Sequence, residues 1–214
     1  MNASRSPAVY VKFCGLTRSR DVETALSLGV DAIGLVFYPK SGRHVSEEHA
    51  RALARLIPAG VDCVALFVNP ERAQVLRVID RVRPTVLQFH GDESAEFCNS
   101  FGCPYWKAIG MSRKVAGGWL AAEYARYSGA AAVLLDGHAP GHVGGAGQSF
   151  DWRRVRQPKQ RLILAGGLTA DTVADAIRKA HPWGVDVSSG IEKQAGIKDA
   201  ARMRAFMDAV GSAG

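Results

Sequence analysis

Short apolar segments recur roughly every 20 to 30 residues along the 214-residue chain. They are rich in Val, Ile, Leu and Phe and do not alternate regularly with polar residues. This pattern is typical of parallel β-strands that are buried on both faces. The eight segments are 9–13, 31–37, 63–68, 86–89, 105–109, 131–135, 161–164 and 185–187.

Helical patterns lie between these apolar segments. Residues 21–28 end at Gly29, a common stop for a helix. Ser46 has the chemistry of a helix N-cap, and apolar residues that follow it fall on one helical face. Two later helices are predicted to begin at Thr169 and Asp199.

Strands and helices therefore alternate about eight times, which predicts an α/β protein with a closed (β/α)8 TIM barrel. The structural alternative is an open doubly wound sheet, but the loop after the first strand lacks that fold's glycine-rich fingerprint. We expect a single catalytic domain over residues 9–210, an N-terminal extension of residues 1–8 and a C-terminal tail of residues 211–214. The glycine-rich segment 141–147 is interpreted as a mobile loop.

The composition is that of an ordinary globular domain, with 47% hydrophobic and 22% charged residues. The formal net charge of +7 comes from basic residues spread along predicted helices, which favours solvated helix faces over a nucleic-acid footprint. No segment resembles a signal peptide or reaches the length of a membrane span. The four cysteines lack zinc-ligand spacing. We expect a cytoplasmic protein that binds neither membrane nor nucleic acid.

Cys14 and Asp136 each follow an apolar segment where a strand is expected to stop. In a TIM barrel the carboxyl ends of all strands open onto one mouth, which holds the active site. A thiol and a carboxyl group at this mouth can form a catalytic pair, with the thiolate as base and the carboxyl group as acid. The alternatives are a buried structural thiol and a carboxylate that caps a loop.

Two small-residue loops follow the predicted seventh and eighth strands, the usual phosphate site of this fold. Glycine removes the Cβ atom that would block an anion, so backbone N–H groups can bind phosphate. The alternative is a pair of tight turns. The candidate phosphate-binding residues are Gly166, Gly167, Ser188, Ser189 and Gly190.

Other polar residues are expected near the same mouth. The Arg43 guanidinium suits a substrate carboxylate, with a surface ion pair as the alternative. His90 either lines the pocket or binds a loop carbonyl, and Gln88 precedes it as a further substrate-binding candidate. Lys12 and Lys107 are expected to point into the barrel and pair with acids in a structural role.

Seven ordered segments of the chain form a recognisable set: 12–17 (KFCGLT), 41–45 (SGRHV), 88–93 (QFHGDE), 134–136 (LLD), 144–152 (GGAGQSFDW), 164–168 (LAGGL) and 185–192 (VDVSSGIE). On these segments the chain resembles the phosphoribosylanthranilate isomerases of tryptophan biosynthesis through almost its whole length. Ala146 and Gly137 depart from the family pattern beside the predicted mobile loop, which bears on substrate positioning more than on the chemistry.

This resemblance implies an Amadori rearrangement of N-(5'-phosphoribosyl)anthranilate. Asp136 would protonate the furanose ring oxygen, Cys14 would remove the C2 proton, and Arg43 would hold the anthranilate carboxylate. The reaction implies a phosphorylated small-molecule substrate and no cofactor or metal. The oligomeric state, monomer or homodimer, stays open.

Two other functions are compatible with the sequence. One is a related phosphate-binding barrel, such as indole-glycerol-phosphate synthase or the sugar isomerase of histidine biosynthesis. The synthase is expected to use lysine and glutamate as its acid and base, and the histidine-pathway isomerase is expected to use paired aspartates. Cys14 at the end of the first strand disfavours both. The other is a non-catalytic basic barrel that binds RNA, which the presence of both Cys14 and Asp136 disfavours.

Overall fold

The structure is a computed structural model that describes residues 9–111, 118–137, 155 and 157–213. Eight parallel strands close into a barrel in their sequence order, so the TIM-barrel prediction is confirmed and the open sheet is wrong. The predicted extension 1–8 and the predicted mobile loop 141–147 lie outside the described residues. The strands are β1 Tyr10–Cys14, β2 Ala32–Val36, β3 Asp62–Phe67, β4 Val86–Phe89, β5 Tyr105–Gly110, β6 Ala132–Asp136, β7 Arg161–Ala165 and β8 Gly184–Val187.

Helices cover the outside of the barrel. Three helix starts lie at the predicted positions and are capped by side chains: the Ser46 hydroxyl accepts from the His49 N–H, Thr169 forms a capping box, and the Asp199 carboxylate accepts from two N–H groups. The described helices are α1 Ser19–Ser27, α2 Glu47–Ala54, α3 Arg72–Val82, α4 Ala95–Asn99, α5 Trp119–Arg126, α6 Ala170–Ala180 and α7 Ala200–Gly211.

Two short elements join β8 to the last helix. A 3₁₀ helix, Ser189–Ile191, follows β8 at the mouth of the barrel. An antiparallel hairpin of β9 Glu192–Gln194 and β10 Ile197–Lys198 comes next. The hairpin returns the chain toward the mouth before α7 begins.

The alternation of side chains along each strand divides the interior into two regions. One set of side chains packs between strands and helices, and the other fills the inside of the barrel. The apolar layer inside the barrel consists of Ala32, Val64, Val86, Trp106, Ala108, Ala132, Leu134, Ile163 and Ala165. Cys14 packs against Val36 and Leu66 in a separate cluster toward the mouth. The packed apolar layer therefore lies below the mouth and supports the polar groups there.

No helix in the described part of the chain is long and apolar enough to cross a membrane.

Candidate active site

A cavity opens at the carboxyl ends of the strands, as the barrel fold requires. It is lined by most of the predicted site residues, among them Cys14, Arg43, His90, Asp136, Gly166, Gly167, Ser188 and Ser189. Gln88 and Gly190 are not part of the lining. The barrel thus brings the thiol and the carboxyl group, more than a hundred residues apart in sequence, to one opening.

The thiol lies at the end of β1 and is 5% exposed. Its strand neighbour is Gly34 of β2, where a Cβ atom would lie 2.8 Å from the Cys14 sulfur and 3.0 Å from the Lys12 Cε. A real Cβ atom essentially never approaches another atom as closely as 2.8 Å, and 3.0 Å is also unusually tight, so glycine at this position leaves room for both side chains. Gly34 was not identified from the sequence, because a single glycine inside an apolar run carries no distinctive signal.

A buried ion pair lies directly below the thiol. Lys12 is fully buried, and its Nζ is 2.8 Å from Oδ1 of Asp186, its register partner on β8. Lys12 and Cys14 are two residues apart on one strand, so both side chains point into the barrel. The prediction that Lys12 faces the interior and pairs with an acid is confirmed. Asp186 also lines the cavity.

Burial raises the pKa of the Cys14 thiol above its ordinary value, because the thiolate loses the solvation of water. The positive charge of Lys12 and a hydrogen bond from it act in the opposite direction, and Lys198 adds a weaker effect of the same sign. The negative charge of Asp186 raises the pKa further. In the absence of substrate, the thiol form is therefore favoured near neutral pH.

Lys198 connects the thiol strand to the loop after β8. Its Nζ donates to the Cys14 carbonyl at 2.6 Å, to the Ser188 carbonyl at 3.1 Å and to Glu192 Oε1 at 2.8 Å. Burial lowers the pKa of Lys198, although Glu192 opposes the change. Sequence reasoning missed this residue, since a two-residue strand has no periodicity that could place it.

Arg43 forms a buried ion pair, which corrects the alternative of a surface pair. Its Nε and Nη2 donate to the two carboxylate oxygens of Glu192 at 2.8 and 2.7 Å. Burial disfavours the charged forms of both Arg43 and Glu192. The mutual hydrogen bonds nevertheless raise the pKa of Arg43, and together with Lys198 they lower the pKa of Glu192. Arg43 is thereby held rigidly at the cavity wall.

The carboxyl group of Asp136 lies on the other side of the mouth. Its Oδ2 is 3.0 Å from His90 Nε2, and His90 Nδ1 is 3.2 Å from the Gln88 side-chain nitrogen. His90 therefore lines the pocket and binds a side chain, so the alternative of a loop carbonyl is wrong. Gln88 is fully buried and contacts His90 from behind. This contact fixes the carboxyl group of Asp136 against the imidazole ring at the mouth.

The two predicted anion loops have the backbone geometry that requires glycine. Gly166 and Gly167 have φ angles of 79° and 68°, a left-handed conformation that other residues rarely adopt. A Cβ atom on Gly190 would lie 2.0 Å from the Leu168 carbonyl oxygen, so this glycine lets the two loops touch. The Ser188 hydroxyl donates to the Cys14 carbonyl at 3.0 Å, which ties the second loop to β1.

Lys107 does not point into the barrel, contrary to the sequence-based expectation. Its neighbours in β5, Trp106 and Ala108, occupy the interior, so alternation turns Lys107 toward the helices. Its Nζ lies 3.0 Å from Glu93 Oε2 and donates to the Gly91 carbonyl at 2.6 Å. The predicted pairing with an acid is confirmed, and it anchors the loop that follows His90.

Within the described residues, no group of three or more His, Cys, Asp and Glu side chains is arranged to hold a metal ion.

The sequence is similar to known isomerases over nearly its full length. The model of a family described as N-(5'phosphoribosyl)anthranilate (PRA) isomerase matches residues 11–209. The N-(5'-phosphoribosyl)anthranilate isomerase of Pseudomonas paraeruginosa is 49% identical over 209 residues, which cover 97% of this chain and 98% of that protein.

Solved structures give the same result. The crystal structure of phosphoribosyl anthranilate isomerase from Thermotoga maritima has a TM-score of 0.84 and 34% identity, and the match covers 95% of this chain and 99% of that one. A second structure holds such an isomerase in complex with reduced 1-(o-carboxyphenylamino)-1-deoxyribulose 5-phosphate. It has a TM-score of 0.80 and 34% identity, with the same coverage.

Proposed function

Because the chain belongs to the N-(5'-phosphoribosyl)anthranilate isomerase family, we propose that Cys14 and Asp136 perform the two proton transfers of that isomerisation. The protein is the isomerase of tryptophan biosynthesis that converts N-(5'-phosphoribosyl)anthranilate to 1-(2-carboxyphenylamino)-1-deoxyribulose 5-phosphate. The related synthase and the histidine-pathway enzyme are thereby set aside. The non-catalytic barrel has no observation in its favour.

One observation carries the assignment of the acid and the base. Cys14 and Asp136 line the same cavity, and they belong to β1 and β6, which are not neighbours in the barrel. A sugar bound between them presents different atoms to the two groups. This arrangement suits a reaction that needs a proton donor and a proton acceptor at separate positions.

The chemistry then follows in three steps. Asp136 donates a proton to the furanose ring oxygen as the bond from C1 to that oxygen breaks, and the electron pair of the aryl nitrogen forms an iminium ion. The Cys14 thiolate removes the C2 proton, and the electrons of the C–H bond form an enolamine. A proton added at C1 and one lost from the 2-hydroxyl group give the ketone. Substrate and product are isomers, so no oxidant or reductant is consumed.

The two loops after β7 and β8 are proposed to bind the substrate phosphate. Gly166 and Gly167 leave the backbone N–H groups unobstructed, and Ser189 and Gly190 begin the 3₁₀ helix on the other side. Because Ser188 and Lys198 both bind the Cys14 carbonyl, the phosphate loop and the base are held by the same contacts. Phosphate binding therefore fixes the sugar relative to the thiol.

Arg43 is proposed to hold the anthranilate carboxylate, and His90 to hold Asp136 in place. Arg43 lines the cavity, and Glu192 fixes the plane of its guanidinium. Gln88 then acts on the substrate only through His90. Replacement of Arg43 by alanine should weaken substrate binding, measured as a rise in KM.

The test of the catalytic pair is the decay of substrate fluorescence with purified variants. Cys14→Ala and Asp136→Asn should each lower kcat by about 10² to 10⁴, the usual contribution of a general acid or base. Cys98→Ala is the matched control, because it removes the same atoms from a fully buried cysteine in the core between strands and helices. A variant of Cys14 or Asp136 that keeps the control's turnover removes that residue from the mechanism.

We further propose a cytoplasmic location and a phosphorylated small molecule, and not nucleic acid, as the partner. The four cysteines are free thiols, as the reducing cytoplasm maintains them. Fractionation of cells that produce the protein tests the location directly.

A further inference from the structure

The strongest feature that the proposed roles leave unused is the ion pair below the thiol. Both members are strand residues that point into the barrel, and Lys12 is fully buried with its Nζ 2.8 Å from Asp186. The Lys107–Glu93 pair has a similar separation of 3.0 Å, but the Lys107 side chain points from β5 toward the helices and away from the barrel interior that holds the thiol. The position of the Lys12 pair therefore needs its own explanation.

We propose that Lys12 and Asp186 act as a positioning pair for the Cys14 base, in which Lys12 stabilises the thiolate and Asp186 limits that stabilisation. This inference deepens the proposed function and rests on Cys14 as the base. In this role the pair influences the charge of the Cys14 thiol and also supports the barrel.

Geometry supports the proposal. A single point above Gly34 lies within 3.0 Å of both the Cys14 sulfur and the Lys12 Cε, so the two side chains share one small space. Asp186 reaches this space from the neighbouring strand β8 and also contacts the cavity. In an interior of low polarity, such charges interact more strongly than in water.

Four charged groups act on the thiol from four different elements. They are Lys12 of β1, Asp186 of β8, Lys198 of β10 and Arg43 of the loop after β2. Burial raises the thiol pKa most strongly, and Lys12 is the leading effect in the opposite direction. Lys198 and Arg43 have Glu192 as a common partner, which offsets their charge. Lys12 is therefore the cation with the most direct influence.

The two members of the pair should have opposite effects, and this makes the proposal testable. Cys14 is alkylated with iodoacetamide in the substrate-free protein over roughly pH 7 to 11, and mass spectrometry follows the Cys14 peptide. Where a midpoint lies above this range, the direction of its shift is taken from the alkylation rates at fixed pH. Lys12→Met should move the midpoint upward by about one to three pH units and slow alkylation at neutral pH about tenfold or more. Asp186→Asn should move the midpoint downward and accelerate alkylation at neutral pH.

If the Lys12–Asp186 pair has only a structural role, a different result is expected. Loss of either partner would then disturb the site in the same direction, so shifts of equal sign, or no shifts, overturn the proposal. Lys107→Met is the matched control, because it breaks a buried lysine–carboxylate pair elsewhere in the barrel and should leave the Cys14 midpoint unchanged. A shift in this control equal to that of Lys12→Met also overturns the proposal.

A double variant protects the test against misfolding. Lys12→Met with Asp186→Asn leaves neither charge unpaired, and its alkylation midpoint should lie between those of the two single variants. The pH profile of kcat/KM separates this inference from the proposed function. If alkylation shifts in opposite directions while the kcat/KM profile stays fixed, the pair controls the thiol but Cys14 is not the base.

Discussion

The two sides of the mouth are built from different interactions. On the side of β1 and β8, Cys14 lies among buried charges, with Lys12 paired to Asp186 and Lys198 bonded to the Cys14 carbonyl. On the side of β4 and β6, the described contacts of Asp136 are to an imidazole ring that is backed by the amide of Gln88. A base that must lose its proton benefits from nearby cations, whereas an acid needs a partner that keeps a proton within reach.

The difference also concerns stability. A buried charge network is costly to break, because each charge that loses its partner remains in a medium that solvates it poorly. A chain of single hydrogen bonds at a partly exposed site costs much less. The side that holds the proposed base should therefore contribute to both folding and chemistry, and the side that holds the proposed acid mainly to chemistry.

The largest expected effect is on stability and comes from the carboxylate that Arg43 and Lys198 share. Glu192→Gln leaves two buried cations without their counterion and should lower the free energy of unfolding by about 3–5 kcal/mol, measured by urea denaturation. The matched control is Glu47→Gln, since Glu47 also binds two cations, Arg77 and Arg81, at 3.0 Å each but at the surface. That control should cost about 0–1 kcal/mol. Similar losses in both variants would show that burial does not distinguish the two sites.

The next largest effect is expected from replacing one glycine on each side of the mouth by alanine. A Cβ atom on Gly34 would meet the Cys14 sulfur at 2.8 Å, and one on Gly166 would meet Asp136 Oδ1 at 2.5 Å. Alanine at either position should displace the neighbouring group of the proposed catalytic pair and lower kcat by roughly 10²-fold. Gly211→Ala, with no atom within 4 Å of the added Cβ, is the control and should leave kcat unchanged. Normal turnover in the Gly34 variant would mean that the thiol position is not critical.

A smaller effect is expected on the pH dependence of kcat/KM. Because burial raises the pKa of Cys14, the thiolate is a minor form below that pKa and its fraction rises with pH. Hence kcat/KM should rise by about tenfold per pH unit on the limb that the base controls. A profile that falls or stays level between roughly pH 7 and 9 would argue against a thiolate base in the free enzyme.

The smallest effect concerns His90. His90→Gln removes the ring bond to Asp136 and should lower kcat about two- to tenfold, the value of a single hydrogen bond, while unfolding changes by about 1 kcal/mol or less. The base limb of the pH profile should stay in place, because His90 and Cys14 lie on different sides of the mouth. A shifted limb in this variant would show that the two sides are coupled.

Much of the architecture could be predicted from local sequence patterns. The eight apolar segments match the eight strands to within one residue at either end, and the predicted cap at Ser46 and the predicted helix starts at Thr169 and Asp199 are confirmed, the last two residues being the N-caps. These features are local, because strand burial and capping depend on residues close in sequence. The positions of Cys14 and Asp136 at strand ends followed from them directly.

The electrostatics of the mouth depended on the closed barrel. Lys12 meets Asp186 across 174 residues of sequence, Arg43 meets Glu192 across 149, and Lys198 meets Cys14 across 184. None of these contacts has a local signal, and side-chain alternation within one strand decided that Lys12 faces inward and Lys107 outward. The sequence alone determined which elements form and which residues end them. Only closure, which places β8 and its hairpin beside β1, decided which charges surround the thiol.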